Sequence, residues 1–444
     1  MQLKLFEHQK ENIAHIQKHR SCAIFDSPGC GKTVSVIEAT KANIGKKLIF
    51  APKSILQPAW GEDMNKFFPS IDYVVATAKN RKEAFDIDAD YYITNFDAAD
   101  WVLKNINLSD FKTLILDEST YIKNPKAKRT KAIHQIASGM ENRIIMTGTP
   151  MPNTVLDIWS QIYVVDRGQR LGDRYYDFQF RVAEPVRVGA NIRAVKWEPK
   201  PGSTEAVSDM IEDITIRHEL EDVIDMPEKI ERTVSFEMNP NHERAYEKLK
   251  EDSIIEILNT VSITAVHAAS LQNKLLQLTS GSVYRDDGPH LKFDSDRYEL
   301  IMDLVDENKH PTIVACNWTH QIDELEKLSS KRGIAYRTIS GKTSDADRNI
   351  AVQAIQAGTT RVLFANIAAL SHGVTLTGAT RCIFASPTFN SEQFEQFKHR
   401  IFRAGQSKRT ETILIQAKDT LEEKVYQKLQ GKLSNQTTLL NLLK

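Results

Sequence analysis

The sequence predicts an α/β protein made of two parallel-sheet domains joined by a helical linker and insertion. Three observations lead there. Short apolar runs rich in β-branched residues recur in two series without strict alternation, which is the pattern of strands covered on both faces. Helical patterns separate the runs within each series, as parallel crossovers require. The first series opens on a strand, a glycine-bearing loop and a helix, SCAIFDSPGCGKTVSVIEA.

In chain order, the first domain is expected over residues 1–165, with strands in SCAIFD, KLIFAP, YYITNF, TLILDE and RIIMTG. Residues 166–290 read as an insertion and linker. DRYYDFQFRV and VKWEPKPGS show no clean period, whereas NPNHERAYEKLKEDSIIEILNTV and AVHAASLQNKLLQL read as helices, and RDDGPH reads as a turn. The second domain is expected over 291–444, with strands in TIVACN, AYRTIS, RVLFAN, RCIFAS and ETILIQ.

The totals fit this layout. A chain of 444 residues holds two or three domains. Its 58 Lys and Arg balance 58 Asp and Glu, so no global basic signal marks a nucleic-acid binder, although a local stripe can hide in a neutral total. Cys22, Cys30, Cys316 and Cys382 lack metal-ligand spacing and read as reduced thiols. No apolar run has the length of a signal-peptide core or a membrane span. The expectation is a soluble protein of the cytoplasm, nucleoid-associated, or in a host cytoplasm if the source is viral, with no membrane partner.

The chemistry begins at Pro28-Gly29-Cys30-Gly31-Lys32-Thr33. Glycines let backbone N–H groups turn inward around phosphate oxygens, and the helix N-terminus adds partial positive charge. Lys32 can reach the β- and γ-phosphates of ATP, and the Thr33 hydroxyl can ligate Mg²⁺. The common phosphate-loop pattern has glycine where this chain has Asp26. TLILDE ends a strand in Asp117-Glu118. Alone this is a solvated strand end. Paired with the loop, Asp117 is expected to hold the metal and Glu118 to orient the attacking water. RIIMTGTP ends a strand in Thr147-Gly148-Thr149-Pro150, placed to lie between the ATP site and whatever the ATPase drives. Upstream, the Gln9 amide has the donor and acceptor that adenine presents.

These segments occur in an order found in helicase superfamily two. DSPGCGKT, LIFAPKSILQPAW, LDESTYIKN, MTGTPMPN and QFKHRIFRAGQ together resemble its Swi/Snf-type DNA translocases, as do IRHELEDVIDMPEKIERTVSF and DTLEEKVYQKL. The resemblance implies two RecA-like lobes, ATP hydrolysis, and movement along double-stranded DNA with little sequence preference. It places Pro52, Lys53, Thr94 and Asn95 on the nucleic-acid-facing edge of lobe one, with Thr149 nearby. The run YIKNPKAKRTK, including Lys123 and Lys126, is expected to track phosphates, and Lys342 and Arg348, with Trp318, to line lobe two. Arg400 and Arg403 are expected on one face of a helix over 392–403, as arginine fingers for the γ-phosphate, with Gln396 one turn earlier. Three departures stand out. Ser119-Thr120 follow the acid pair, Ser371-His372-Gly373 occupy a later motif with His372 as a spacer, and the chain lacks the family's large chromatin-targeting domains. Two other readings compete: a helicase separating strands of DNA or RNA, and a nucleotide-controlled clamp on DNA or a protein.

Overall fold

The computed structural model describes residues 3–187, 195–259, 265–285, 288–370 and 374–431. Two compact units make up the chain, one built mainly from residues 3–186 and 197–225, the other from 226–370 and 375–431. The motif at Ser371-His372-Gly373 and the centre of the RDDGPH turn lie outside the described residues.

The first unit is a seven-stranded sheet. Its strands are β1 (Ser21–Ile24), β2 (Lys46–Ala51), β3 (Tyr73–Ala76), β4 (Tyr91–Asn95), β5 (Phe111–Asp117) and β6 (Asn142–Met146), with a two-residue strand Thr215–Ile216 at one edge. Their order is β3-β4-β2-β5-β6-β1 and then the short strand, and every pairing is parallel. Central strands are buried on both faces, as their apolar runs require. Register decides where the chemistry lies: Ile24 pairs with Met146, and Asp117 pairs with the same Met146. The loops after β1, β5 and β6 therefore leave the sheet at one level, on its carboxyl edge, where parallel sheets place their ligands.

The second unit is a six-stranded parallel sheet. Lys229–Phe236 and Thr410–Ala417 form one side, followed in order by Arg381–Phe384, Thr312–Cys316, Val362–Asn366 and Tyr336–Ile339. All ten strands read from the sequence are present. The described residues add Tyr73–Ala76, Thr215–Ile216 and Lys229–Phe236 to the two main sheets, and two separate strand pairs, Ala183–Arg187 with Val195–Pro199 and Ser282–Arg285 with Gly288–Lys292.

The stretch expected as a separate insertion and linker divides between the two cores. Leu171, Phe178, Val182, Val207, Ile211 and Ile214 are buried in the first, and Tyr246, Leu275, Leu276 and Leu278 pack with Leu421 and Val425 in the second. The helices Tyr175–Val182 and Ser203–Ile211 are short, too short for a helical period to stand out among their aromatics and charges. All four cysteines are buried, and no disulfide joins them. Among the described residues, no helix is long and apolar enough to cross a membrane.

Candidate functional site

The phosphate loop follows β1 and ends at the helix Lys32–Thr40. Gly29 and Gly31 have φ of 97° and 72°, left-handed backbone that glycine adopts without strain. The Lys32 ammonium folds back into the loop and donates to the Asp26 and Ser27 carbonyl oxygens at 2.6 and 3.2 Å. Neutral carbonyls hold the cation where an anion would hold it more strongly. Pro28, Gly29, Gly31, Lys32 and Thr33 are partly exposed, while Cys30 is buried.

The helix Glu7–His19 packs beneath this loop. Gln9 donates from Nε2 to the Gly31 carbonyl at 3.3 Å and accepts the Phe6 N–H at 3.0 Å. A Cβ on Gly31 would collide with the Gln9 amide. His8 donates from Nε2 to the Cys30 carbonyl at 2.8 Å, a contact that no pattern in the sequence signals.

The acid pair sits at the end of β5. Asp117 is buried and accepts a hydrogen bond from Trp60 Nε1 at 2.8 Å. Burial pushes its carboxyl up to about 7, and the charge of Glu118 adds to the rise. A nearby divalent cation would favour the ionised form of such a carboxyl and displace its proton to solvent. Thr33 and Asp117 offer hard oxygen donors, which suit Mg²⁺ and its habit of keeping water and phosphate in the rest of its shell. Glu118 has φ 60° and ψ 61°, a left-handed backbone uncommon for a residue with a side chain and concentrated at functional sites.

Hydrogen bonds tie this acid to the next loop. Thr147 Oγ1 donates to Glu118 Oε2 at 3.0 Å, and Thr149 N donates to Thr147 Oγ1 at 3.3 Å. A Cβ on Gly148 would come within 2.8 Å of Pro28 Cδ, so the Thr147–Pro150 loop rests directly on the phosphate loop. Ser119 also has a local role: its hydroxyl donates to Gln161 Oε1 at 2.6 Å, and Gln161 Nε2 donates to the Pro150 carbonyl at 2.7 Å. One glutamine thus braces the loops after β5 and β6 against each other. Neither Trp60 nor Gln161 was singled out by sequence reasoning. Trp60 did fall inside a motif segment, LIFAPKSILQPAW, and a tryptophan close to a strand end was the available signal.

The residues expected to face nucleic acid are placed unevenly. Lys53 is exposed, Asn95 is half-buried at the end of β4, and Pro52 is buried. Thr94 requires a correction: it is fully buried and donates its hydroxyl to the Ala76 carbonyl at 2.8 Å. The first four residues of β4 are all buried, so either face would enclose this side chain, and its hydroxyl is taken by the residue it pairs with in β3. In the basic run, Lys126 is exposed and lies 5.3 Å from the Tyr176 ring centroid, and Lys123 is half-buried. Lys128 and Arg129 are paired with Asp100 at 3.1 Å and Asp97 at 3.4 Å, so less of that run is available to phosphates than its composition suggests. Thr149 is half-buried, with its hydroxyl enclosed and without a hydrogen-bond partner.

In the second unit the helix preceding the arginines spans Ser391–Lys398. Arg400 and Arg403 follow it in a turn, not on one helix face as expected. Half-buried His399 ends the helix. The turn is then pinned by Gln406 Nε2, which lies 3.0–3.1 Å from the Ile401, Thr377 and Ala379 carbonyls. Arg400 is 6% exposed and donates from Nε to the Gln396 carbonyl at 2.9 Å, whereas Arg403 is half-exposed. Gln396 is buried. Lys342 is exposed in the turn after Tyr336–Ile339, and Arg348 donates to the Ala369 carbonyl at 2.9 Å. Trp318 stacks on His320 and borders a pocket of about 220 Å³ with Asn317, Asn366 and Phe389.

Residues 7–281 match the model of the SNF2-related domain, and residues 296–405 match the helicase conserved C-terminal domain. The chain is 27% identical to putative protein p41 of Acyrthosiphon pisum secondary endosymbiont phage 1, over 97% of both chains. It is 26% identical to an uncharacterized ATP-dependent helicase of Mycoplasma pneumoniae, over 90% of this chain but 38% of that one. With a Caenorhabditis elegans homolog of SWI/SNF-related matrix-associated actin-dependent regulator of chromatin subfamily A-like protein 1 it shares 27% identity, over 97% of this chain and 61% of that one. The chain therefore spans less than two thirds of the length of each of these two cellular relatives. Among solved structures, the Sulfolobus solfataricus SWI2/SNF2 ATPase core in complex with dsDNA is similar at 21% identity and a TM-score of 0.45, covering 97% of this chain and 92% of that one. The sheets, the phosphate loop with its acid pair, and the two matched models converge: the chain belongs to the SNF2-related family and is an ATP-hydrolysing, helicase-like enzyme.

Proposed function

We propose that this enzyme is a translocase that couples ATP hydrolysis to movement along double-stranded DNA. The observation that carries the reading is the bracing of the acid pair. Glu118 is bonded to Thr147, and Ser119 is bonded through Gln161 to the Pro150 carbonyl. The hydrolytic acid thus shares its support with a loop at the same sheet edge as Asn95 and Lys53. Phosphate contacts there hold the duplex without reading sequence.

In this proposal Lys32 leaves its two carbonyls for the β- and γ-phosphates, the loop amides close around them, and Gln9 turns its amide to adenine. Glu118 holds the attacking water and draws its proton. Thr33 and Asp117 would hold Mg²⁺, whose charge offsets that of the phosphates when bound. Arg400 and Arg403 are assigned to the charge that develops on the γ-phosphate, with Gln396 supporting them. Lys53, Lys123, Lys126 and Lys342 contribute phosphate contacts to the duplex.

The test is the steady-state ATPase rate at low salt with no nucleic acid, duplex DNA, single-stranded DNA and RNA. Duplex stimulation that is lost in Lys32→Ala is the expected result. Stimulation by single strands or RNA alone supports a strand-separating helicase instead, and nucleotide binding without stimulation supports a clamp.

A further inference from the structure

Two phosphate-loop residues are gripped by a segment 192 residues further along the chain. His218 follows the edge strand Thr215–Ile216. Its backbone N–H donates to Asp26 Oδ1 at 2.9 Å, its Nδ1 lies 2.9 Å from the same oxygen, and its Nε2 lies 2.8 Å from Glu11 Oε2. The next residue, Glu219, accepts the Ser27 hydroxyl. The main chain adds Ser27 N to the His218 carbonyl at 2.9 Å and Phe25 N to the Ile216 carbonyl at 2.8 Å. Asp26 is fully buried, and its other oxygen takes the Asn12 amide at 2.6 Å. Asp26 and Ser27 are also the two residues whose carbonyls hold Lys32.

The pairing constrains the imidazole. A neutral ring carries one N–H, yet both nitrogens here face carboxylates, which only accept when ionised. The imidazolium alone satisfies both. Burial opposes that charge, but the Glu11 hydrogen bond and the Asp26 charge outweigh it, and His218 is held above the ordinary histidine value of 6.5. Glu11 and His8 face the ring from the helix, with His8 5.7 Å away between ring centroids. Asp26 approaches the ring from the loop, while the Cys30 thiol lies 3.9 Å from the His218 backbone carbonyl. Beside it in the chain, Arg217 is paired with Glu219 at 2.6 Å.

We propose that His218 and Glu219 are positioning residues for ATP, which fix the phosphate loop through Asp26 and Ser27 and thereby set nucleotide affinity. The proposal rests on the phosphate-loop reading of residues 26–33. It ties the loop mechanically to the segment by which the chain leaves the first unit.

Binding of a fluorescent ATP analogue, with KM and kcat for ATP hydrolysis, measured on the full chain from about pH 6 to about pH 9, tests it. The variants are His218→Gln, His218→Arg and Glu219→Gln. Below the folded-state pKa of His218 the cation is present and the loop is held. As pH rises through that value the grip is lost, so wild-type Kd and KM should climb. His218→Arg keeps a cation and should stay tight and flat with pH; the ratio to this variant cancels titration of the nucleotide. His218→Gln should bind about tenfold more weakly at pH 6, with a flat profile and kcat within about twofold of wild type. Should His218→Gln fail to fold, Glu219→Gln and the wild-type to His218→Arg ratio still decide. Wild-type affinity in both His218→Gln and Glu219→Gln, or a ratio that does not change with pH, overturns the proposal. Lys32→Ala separates the layers: if it abolishes binding while the His218 variants match wild type, only this proposal fails, and if it binds normally, the phosphate-loop reading fails with it.

Discussion

The two parallel sheets present opposite chemistry at their carboxyl edges. In the first unit Lys32, Asp117 and Glu118 lie at or beside strand ends, and each is held by a neutral partner: a carbonyl, an indole N–H or a threonine hydroxyl. In the second, the strand ends carry amides that satisfy one another. Asn317 donates to the Pro387 carbonyl at 2.6 Å and to Ser386 Oγ at 3.1 Å, Gln321 accepts the Asn317 N–H at 2.9 Å, and Asn366 donates to the Asn317 carbonyl at 3.1 Å. One edge carries ionisable side chains on neutral partners, and the other carries a neutral network of amides and hydroxyls. The same sheet architecture supports both, so the loops decide the function.

That contrast can be broken from either side. The largest expected effect comes from the second unit. Arg403→Ala should slow ATP hydrolysis by about 10³–10⁵-fold with nucleotide binding retained, if the arginine serves the γ-phosphate; single-turnover hydrolysis alongside equilibrium binding checks it. Glu118→Gln in the first unit should cost about 10²–10⁴-fold in turnover. ATP should still bind, and that combination of outcomes separates a water-orienting acid from a structural one.

Two stability predictions probe what holds each edge. Arg297 is fully buried in the second unit, bonded to Glu422 at 2.7 Å and to the Thr279 and Ala385 carbonyls. Arg297→Met strands Glu422 and should destabilise the second unit by about 3–5 kcal/mol in urea unfolding, while Arg297→Met with Glu422→Leu should recover much of that loss. Ser119→Ala leaves buried Gln161 short of one partner. It should cost about 1–3 kcal/mol and lower duplex-stimulated turnover more than basal turnover, as ATPase assays with and without duplex would show.

The sequence revealed what is local. The glycine loop, Asp117-Glu118 and Thr147–Pro150 each lie on one strand and its following turn, and each was readable from a handful of neighbouring residues. What it hid is what arrives from elsewhere. Trp60 reaches Asp117 across 57 residues, Gln161 reaches Ser119 across 42, and His218 reaches Asp26 across 192. No periodicity encodes such contacts, because they depend on strand order and register. The helix before the arginines ends sooner than the spacing suggests for a related reason: the apolar spacing of Phe394, Phe397, Ile401 and Phe402 continues past Lys398, yet the Gln406 side chain, bonded to the Ile401 carbonyl, holds the backbone in a turn there. Thr94 is hidden for the same kind of reason: β4 is covered on both faces, and the Ala76 carbonyl that takes its hydroxyl belongs to the paired strand β3.

The central claim, ATP-driven movement along duplex DNA, is tested most directly by displacement of a third strand from a triplex flanked by duplex, followed over time with ATP, with a non-hydrolysable analogue, and with Lys32→Ala. The account predicts displacement with ATP alone, a lag that lengthens with the flanking duplex, no separation of the duplex strands, and no activity in Lys32→Ala. Strand separation without dependence on duplex length, or no displacement despite duplex-stimulated hydrolysis, would contradict it.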